Sequence, residues 1–149
     1  MTGRPMHASQ VSRTYTVNDE DLNQYGIMHG GRLLTLADEI GYLAAYKHAV
    51  LPCLTLGVHR TRFHRPAHRD QALELHARVV LTGKSSLWTT VEIRTADADS
   101  LIMEAVFVYA AIDEQRQPQA VAAVEAYTEE EKAMQSLVKR LRQQVLEQP

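Results

Sequence analysis

The chain has one cysteine, Cys53, among 149 residues, so no internal disulfide can form and the core must hold the fold. Cys53 itself reads as a small buried apolar residue. No run approaches the ~18 apolar residues of a membrane span, and the N-terminus lacks the apolar stretch of a secretory leader. A cytoplasmic protein is expected. No sign of charge dominates: 16 Lys and Arg against 18 Asp and Glu leave −2. That gives no global pull towards nucleic acid or an anionic membrane. Aromatics are few, at 6%, which further weakens a nucleic-acid reading. Neither nucleic acid nor membrane is an expected partner. What remains is an ordinary globular composition, 45% apolar. One domain over residues 1–149 is expected, long enough to bury a core without metal or disulfides.

Residues 1–10 are polar and read as loose. Residues 11–17 alternate and contain Thr14, Tyr15 and Thr16, the pattern of a strand. Asn18 caps a short acidic turn running to Tyr25. Gly30-Gly31 opens a helix that reaches about Ala49 and is stopped by Pro52. Leu33, Leu36, Ala37, Ile40, Leu43 and Ala44 recur at spacings of three and four. The opposite side, Leu34, Gly41, Tyr42 and Ala45, is also apolar or small, so the helix is expected to be buried. Four strands follow at 53–63, 72–82, 85–95 and 101–112. The second alternates, with Leu73, Leu75, Ala77, Val79 and Leu81 on one face. The fourth is apolar on both faces and is expected at the centre of the sheet. Residues 113–118 form a turn. Thr128 and Glu131 make a capping box for a last helix at about 128–147, with Met134, Leu137, Val138, Leu141 and Val145 on one face. Short turns between strands argue for an antiparallel sheet curled around one greasy helix, an α+β fold.

Two carboxylates, Asp38 and Glu39, sit inside that helix, seven and eight residues after Gly31. The first amides of a helix have no intrahelical partner and carry the positive end of its dipole. A bare glycine start therefore suits an anion or the oxygen of a reacting carbonyl. An acid two turns on supplies a base or nucleophile. The pairing points to acyl transfer or hydrolysis. Successive residues turn by about 100°, so the two acids face different ways. Asp38 shares its side with Leu34, Gly41 and Ala45. Glu39 shares its side with Arg32, Thr35 and Tyr46. An unpaired acid on a buried side is costly, which makes Asp38 the candidate catalytic carboxylate, the plain alternative being a carboxylate that holds a neighbouring backbone group or an Arg across an interface. Glu39 is the alternative catalytic carboxylate, and otherwise pairs with Arg32 or Arg62 or faces solvent.

Asn23…Gly26…His29-Gly30-Gly31…Leu36-Ala37-Asp38-Glu39 resembles the signature of the hotdog-fold acyl-CoA thioesterases. It mixes an acyl-CoA hydrolase pattern (Asn-x-x-Gly, Gly-Gly, Asp-Glu) with a phenylacetyl-CoA-type pattern (His-Gly-Gly, Leu-Ala-Asp). Thr55 to Phe63 with Pro66, Gly83-Lys84-Ser85-Ser86, and Phe107 to Asp113 extend the likeness over roughly residues 11–125. Arg69-Asp70 departs from a common Gly-Asp. The resemblance implies a hotdog fold: an antiparallel sheet wrapped around a long central helix, here with a C-terminal helix added. It implies a homodimer with a continuous sheet, further assembly to a tetramer or hexamer, and active sites at the dimer interface. It leaves open which subunit supplies Asn23 and which Asp38.

In that frame Asp38 activates water or attacks the thioester of an acyl-CoA substrate. Gly31, with Gly30, polarises the carbonyl through backbone N–H groups, the plain alternative being a glycine needed for packing. Asn23 offers a donor and an acceptor to water or carbonyl, the alternative being a turn residue before Gly26. His29 is either a donor to the substrate or a cap. Arg60, Arg62, Arg65, Arg69 and Lys84 suit the phosphates of CoA, and Ser85 and Ser86 after Gly83 add donors. Alternation puts His59 and Thr61 on the face opposite Arg60 and Arg62. His59, His64, His68 and His76 match no zinc spacing. No metal and no cofactor is expected, CoA being part of the substrate. The rivals are a silent CoA-ester-binding hotdog protein and a hotdog hydratase or dehydratase.

Overall fold

A computed structural model describes residues 2–147; Met1, Gln148 and Pro149 lie outside the described residues. The elements are β1 (Arg4–Pro5), β2 (Val11–Thr16), α1 (Gly30–Ala49), β3 (Cys53–Phe63), β4 (Ala72–Thr82), β5 (Ser86–Thr95), β6 (Leu101–Ala111), β7 (Val124–Glu125) and α2 (Glu129–Glu147). Single 3-10 turns cover Met6–Ser9 and Asp19–Asp21. Five strands form one antiparallel sheet in the order β2-β4-β5-β6-β3. β1 and β7 make a small parallel pair. This is the expected α+β architecture, with α1 held in the curl of the sheet.

The caps follow the side-chain chemistry. Asn18 accepts from the Glu20 N–H and heads its acidic turn. Thr128 and Glu131 exchange side-chain and backbone bonds at the start of α2, so the end of the helix is satisfied without a partner. Val50 takes a left-handed conformation (φ 54°) to close α1, two residues before Pro52. At the departure from the family pattern, Asp70 and not Arg69 carries the positive φ (64°), so the turn does not require a glycine at 69.

Leu33, Leu36, Ala37, Ile40 and Ala44 of α1 are buried with Leu73, Leu75, Val79, Val91, Ile93, Met103 and Phe107 of the sheet. Leu43 leaves the predicted stripe and is exposed, while Gly41, Ala45 and His48 are buried. The core of α1 is thus turned towards the side that carries Asp38. α2 lies on the other face, where Arg78 pairs with Glu130 and Gln135 donates to the Val80 carbonyl. Only part of its apolar stripe is covered: Val138 and Leu141 are buried, and Leu137 is exposed.

Three further expectations change. β5, not β6, is the central strand; β6 lies between β5 and the edge strand β3. A bulge between Val79 and Leu81 pairs Leu81 with Trp88 and Val79 with Thr89. Adjacent residues on β5 face opposite ways, so Leu81 leaves the face of Leu73 to Val79. The N-terminal segment is not loose: Met6 and Ser9 are fully buried, and the Ser9 hydroxyl accepts from the Val79 N–H.

Candidate active site

Asp38 is half-buried on the flank of α1 that meets β3 and β6. Its Oδ1 accepts from the Thr55 hydroxyl at 2.9 Å and from the Tyr109 hydroxyl at 3.1 Å. Its Oδ2 has no partner among the described residues. Tyr109 is itself buried, and burial with the Asp38 charge beside it pushes its phenol far up. It therefore remains a donor across the working pH range. The carboxylate is held in one orientation with one oxygen left for chemistry. Glu39, by contrast, is exposed and makes no ion pair among the described residues; Arg32 is taken by Asp21.

At the start of α1, His29 is the N-cap, and its Nδ1 accepts the Gly31 N–H at 3.0 Å. That bond requires Nδ1 to be unprotonated, which places the ring proton of a neutral His29 on Nε2. The Gly31 amide assigned to the carbonyl is thus engaged by its own cap. The Gly30 amide is the one without a partner among the described residues, and only the Phe63 ring approaches a Cβ built there, at 3.7 Å.

Asn23 makes the turn and keeps its donors free. Its Oδ1 accepts from the Tyr25 N–H (2.9 Å) and the Ile27 N–H (3.4 Å), while Gly26 takes φ 77°. Its side-chain NH2 has no partner among the described residues. The Asn23 loop is pinned by bridges from Leu22 to Met28 and from Ile27 to His68. The turn thus uses the amide oxygen of Asn23 and leaves its NH2 available.

One chain does not bring these parts together. Asp38 lies seven residues beyond Gly31 along α1, roughly 10 Å at 1.5 Å per residue. A carbonyl carbon within about 3 Å of both groups does not fit one chain.

The basic groups also separate. β3 bulges between His59 and Arg62, with Arg60 at φ 53°. His59 pairs with Val106 and Arg62 with Glu104, two positions apart on β6, so the two share a face. The predicted alternation there is wrong because the bulge adds a residue. Arg62 sits opposite Glu104, while the Gly83–Ser86 turn that carries Lys84 and Ser85 adjoins Ala110. Six strand residues place the two sets roughly 20 Å apart in one chain. Arg69 is spent on Asp19. His64 bonds Glu104, and His76 bonds Ser12 and Glu74. Burial pushes the Cys53 thiol up to about 11, as suits an inert core residue. A cavity of ≈ 440 Å³ lies beneath α2, lined by Arg60, His76, Arg78, Glu104, Met134 and Leu137 among others, on the sheet face away from Asp38.

Sequence reasoning missed the two residues that grip Asp38. In the sequence both stand only inside stretches of the family likeness, Thr55 in 55–63 and Tyr109 in 107–113, with nothing in the likeness that singles them out. The signal for Tyr109 was a lone hydroxyl in an apolar strand, since a buried phenol needs an acceptor.

The profile of the thioesterase superfamily matches residues 25–102. An uncharacterized acyl-CoA thioester hydrolase of Zymomonas mobilis is 32% identical over 100 residues, 64% of this chain and 67% of that protein. The cytosolic acyl coenzyme A thioester hydrolase of Mus musculus is 26% identical over 133 residues, 83% of this chain; the chain spans only 34% of that protein's length. The crystal structure of an apo hexameric acyl-CoA thioesterase matches with a TM-score of 0.92 at 29% identity, over 100% of both chains. The acyl-CoA hydrolase of Staphylococcus aureus, solved with butyryl coenzyme A, coenzyme A and coenzyme A disulfide, matches with a TM-score of 0.84 at 27% identity, over 97% of this chain and 92% of that one. That enzyme has also been solved with an asparagine, an aspartate and a threonine each replaced by alanine. Those three stand fifteen and seventeen residues apart, the spacing of Asn23, Asp38 and Thr55 here.

Proposed function

Because the chain belongs to the thioesterase superfamily, we propose that it hydrolyses an acyl-CoA thioester to free acid and CoA, with Asp38 as catalytic carboxylate in a site shared by two subunits. The observation that carries the reading is the Asp38 carboxylate, tethered at Oδ1 by Thr55 and Tyr109 and open at Oδ2. Oδ2 takes a proton from water as the water oxygen bonds to the thioester carbon. The negative charge that develops on the carbonyl oxygen falls to the donors of the helix start: the Gly30 N–H and the Asn23 NH2, with His29 Nε2–H beside them. Removing one such donor costs about 10²–10³ in rate in other hydrolases. The tetrahedral carbon then expels CoA as thiolate, and the proton on Asp38 returns to the sulfur. No step calls on a metal or a redox cofactor.

The second subunit is supported by the 10 Å offset and by the edge of the sheet. β3 is an open edge strand with Leu54, Leu56 and Val58 exposed, a liability unless it pairs. Pairing β3 with its copy gives one continuous sheet and sets two α1 helices side by side. Assembly beyond the dimer, to a tetramer or hexamer, is supported by the hexameric structure that this chain matches throughout its length. The phosphates of CoA fall to two sets, Arg60 with Arg62 and Lys84 with Gly83, Ser85 and Ser86. A cytoplasmic location is supported by the cytosolic relative; among the described residues no helix is long and apolar enough to cross a membrane.

Thiol release with Ellman's reagent, from acetyl-CoA to palmitoyl-CoA and with one aryl ester, tests the reading in wild type and Asp38→Asn. Turnover of part of the panel, lost in the variant with the fold intact, is the expected result. CoA esters that bind without any thiol release would instead mark a silent binder.

A further inference from the structure

We infer that the Asp21–Arg32 ion pair is a positioning device for this reaction: it fixes the loop that carries Asn23 and His29 against the first turn of α1. The inference rests on the proposed hydrolysis for its kinetic consequence, but not for its geometry.

Asp21 is 5% exposed. Its Oδ2 accepts from the Tyr15 hydroxyl at 2.7 Å and the Asn18 N–H at 3.0 Å, and its Oδ1 accepts from Arg32 Nε at 3.0 Å. Its main-chain carbonyl accepts from the His29 N–H at 2.8 Å. One residue therefore joins β2, the acidic turn, the first turn of α1 and the residue that caps α1. The Arg32 guanidinium also lies over the Tyr15 ring, 5.3 Å from its centroid, so the cation is gripped on two sides. Burial pushes the Asp21 carboxyl up, but the bonds from Asn18, Tyr15 and Arg32 outweigh it and hold the group below the usual carboxylate range. It is charged at neutral pH, where charge-assisted bonds are strongest.

The two ends of the loop thus meet at Asp21, one through the chain and the other through the His29 N–H. Between them lies Asn23, and just past His29 stands the uncommitted Gly30 amide. These donors act on a carbonyl that the Asp38 of another subunit addresses, so their placement is set only by how the loop is held. A misplacement of about 1 Å costs on the order of 10²-fold in rate. Other loop contacts, among them the His29 N–H to the Asp21 carbonyl, the Asn23 N–H to the Ile27 carbonyl, the Met28 N–H to the Ala67 carbonyl, and the bridges of Leu22 with Met28 and Ile27 with His68, do not use the paired side chains. The loop is therefore expected to stay folded, though displaced, when the pair is broken.

The test compares wild type, Arg32→Met, Arg32→Lys and Asp21→Asn for kcat, KM, CoA affinity and amide hydrogen exchange. Arg32→Met should lower kcat about 10- to 100-fold, with KM and CoA affinity little changed. Exchange should quicken in residues 22–30 and not in the sheet. Arg32→Lys should recover part of kcat, since it restores the charge but not the guanidinium geometry. If Asp21→Asn fails to fold, the two Arg32 variants decide alone. A folded Arg32→Met with unchanged kcat and unchanged exchange in 22–30 overturns the inference, as does exchange that quickens everywhere. A wild type that releases no thiol sinks the hydrolase reading instead, and the exchange comparison still judges whether the pair holds the loop.

Discussion

The Tyr109 hydroxyl reaches Asp38 across the space that a side chain at residue 41 would fill. It donates to Asp38 Oδ1 at 3.1 Å and to the Asp38 main-chain carbonyl at 3.0 Å. A Cβ on Gly41 would stand 2.3 Å from that hydroxyl oxygen and 3.2 Å from a Val91 methyl. The glycine that weakens α1 as a helix thus lets the sheet grip Asp38.

Gly41→Ala tests that relationship. Alanine gains about 1 kcal/mol of helix propensity over glycine, but overpacking costs about 1–3 kcal/mol. The variant should fold with a slightly lower urea midpoint, and its thiol release should drop at least ~10-fold because Tyr109 is displaced. Full activity would mean that the Tyr109 contact does not matter.

Thr55→Ala and Tyr109→Phe each remove one donor from the same carboxylate oxygen. Each should lower kcat by about 10-fold, and the double variant should lose less than the product of the two, since both bonds orient one group. A double-mutant cycle in kcat reads the coupling. Strict multiplicativity would show that the two hydroxyls act independently.

The β3 edge carries the prediction about assembly. Leu56 is 62% exposed in the isolated chain. Leu56→Glu should give a monomer by light scattering, with the circular dichroism of the wild type and no thiol release, because one chain cannot supply both halves of a site. A monomer that remained active would contradict the shared site.

His48 gives the pH dependence of stability. It is buried, and its Nε2 lies 2.7 Å from the Ala122 carbonyl, while its Nδ1 has no partner among the described residues. Burial pushes the imidazole below its ordinary value of 6.5, and the nearby Arg4 adds to this. The folded state therefore prefers the neutral ring, whereas the unfolded chain binds a proton below about 6.5. The stability His48 contributes is complete above that pH and is lost as pH falls towards its folded value. Urea midpoints at pH 7.5 and 5.5 should differ more in wild type than in His48→Gln. Equal differences would remove His48 from the account.

Local signals carried much of this molecule. The limits of the long helix, the four long strands, and the Asn18 and Thr128 caps were all legible, because each depends on neighbours in the chain. The faces of Leu81, Arg60 and Arg62 were not, because alternation assumes an unbroken register and both strands bulge. The burial of Met6 and Ser9 was hidden in a segment too short to show a period. At the site, Asp38 stood out as a charge in an apolar helix. Its grip by Thr55 and Tyr109, and the meeting of Tyr15 and Arg32 on Asp21, arise only when separate elements meet.

The central claim, an Asp38-dependent hydrolysis in a site built by two subunits, is tested most directly by complementation. Asp38→Asn and Asn23→Ala chains, each inactive alone, are unfolded together and refolded as a mixture, and thiol release is measured. If each site joins Asp38 of one subunit to Asn23 of the other, a mixed dimer has one intact site. Random pairing in a two-fold dimer then restores about a quarter of the wild-type rate. A mixture no more active than its components would show that Asp38 and Asn23 serve the reaction from the same chain, and would contradict the shared site.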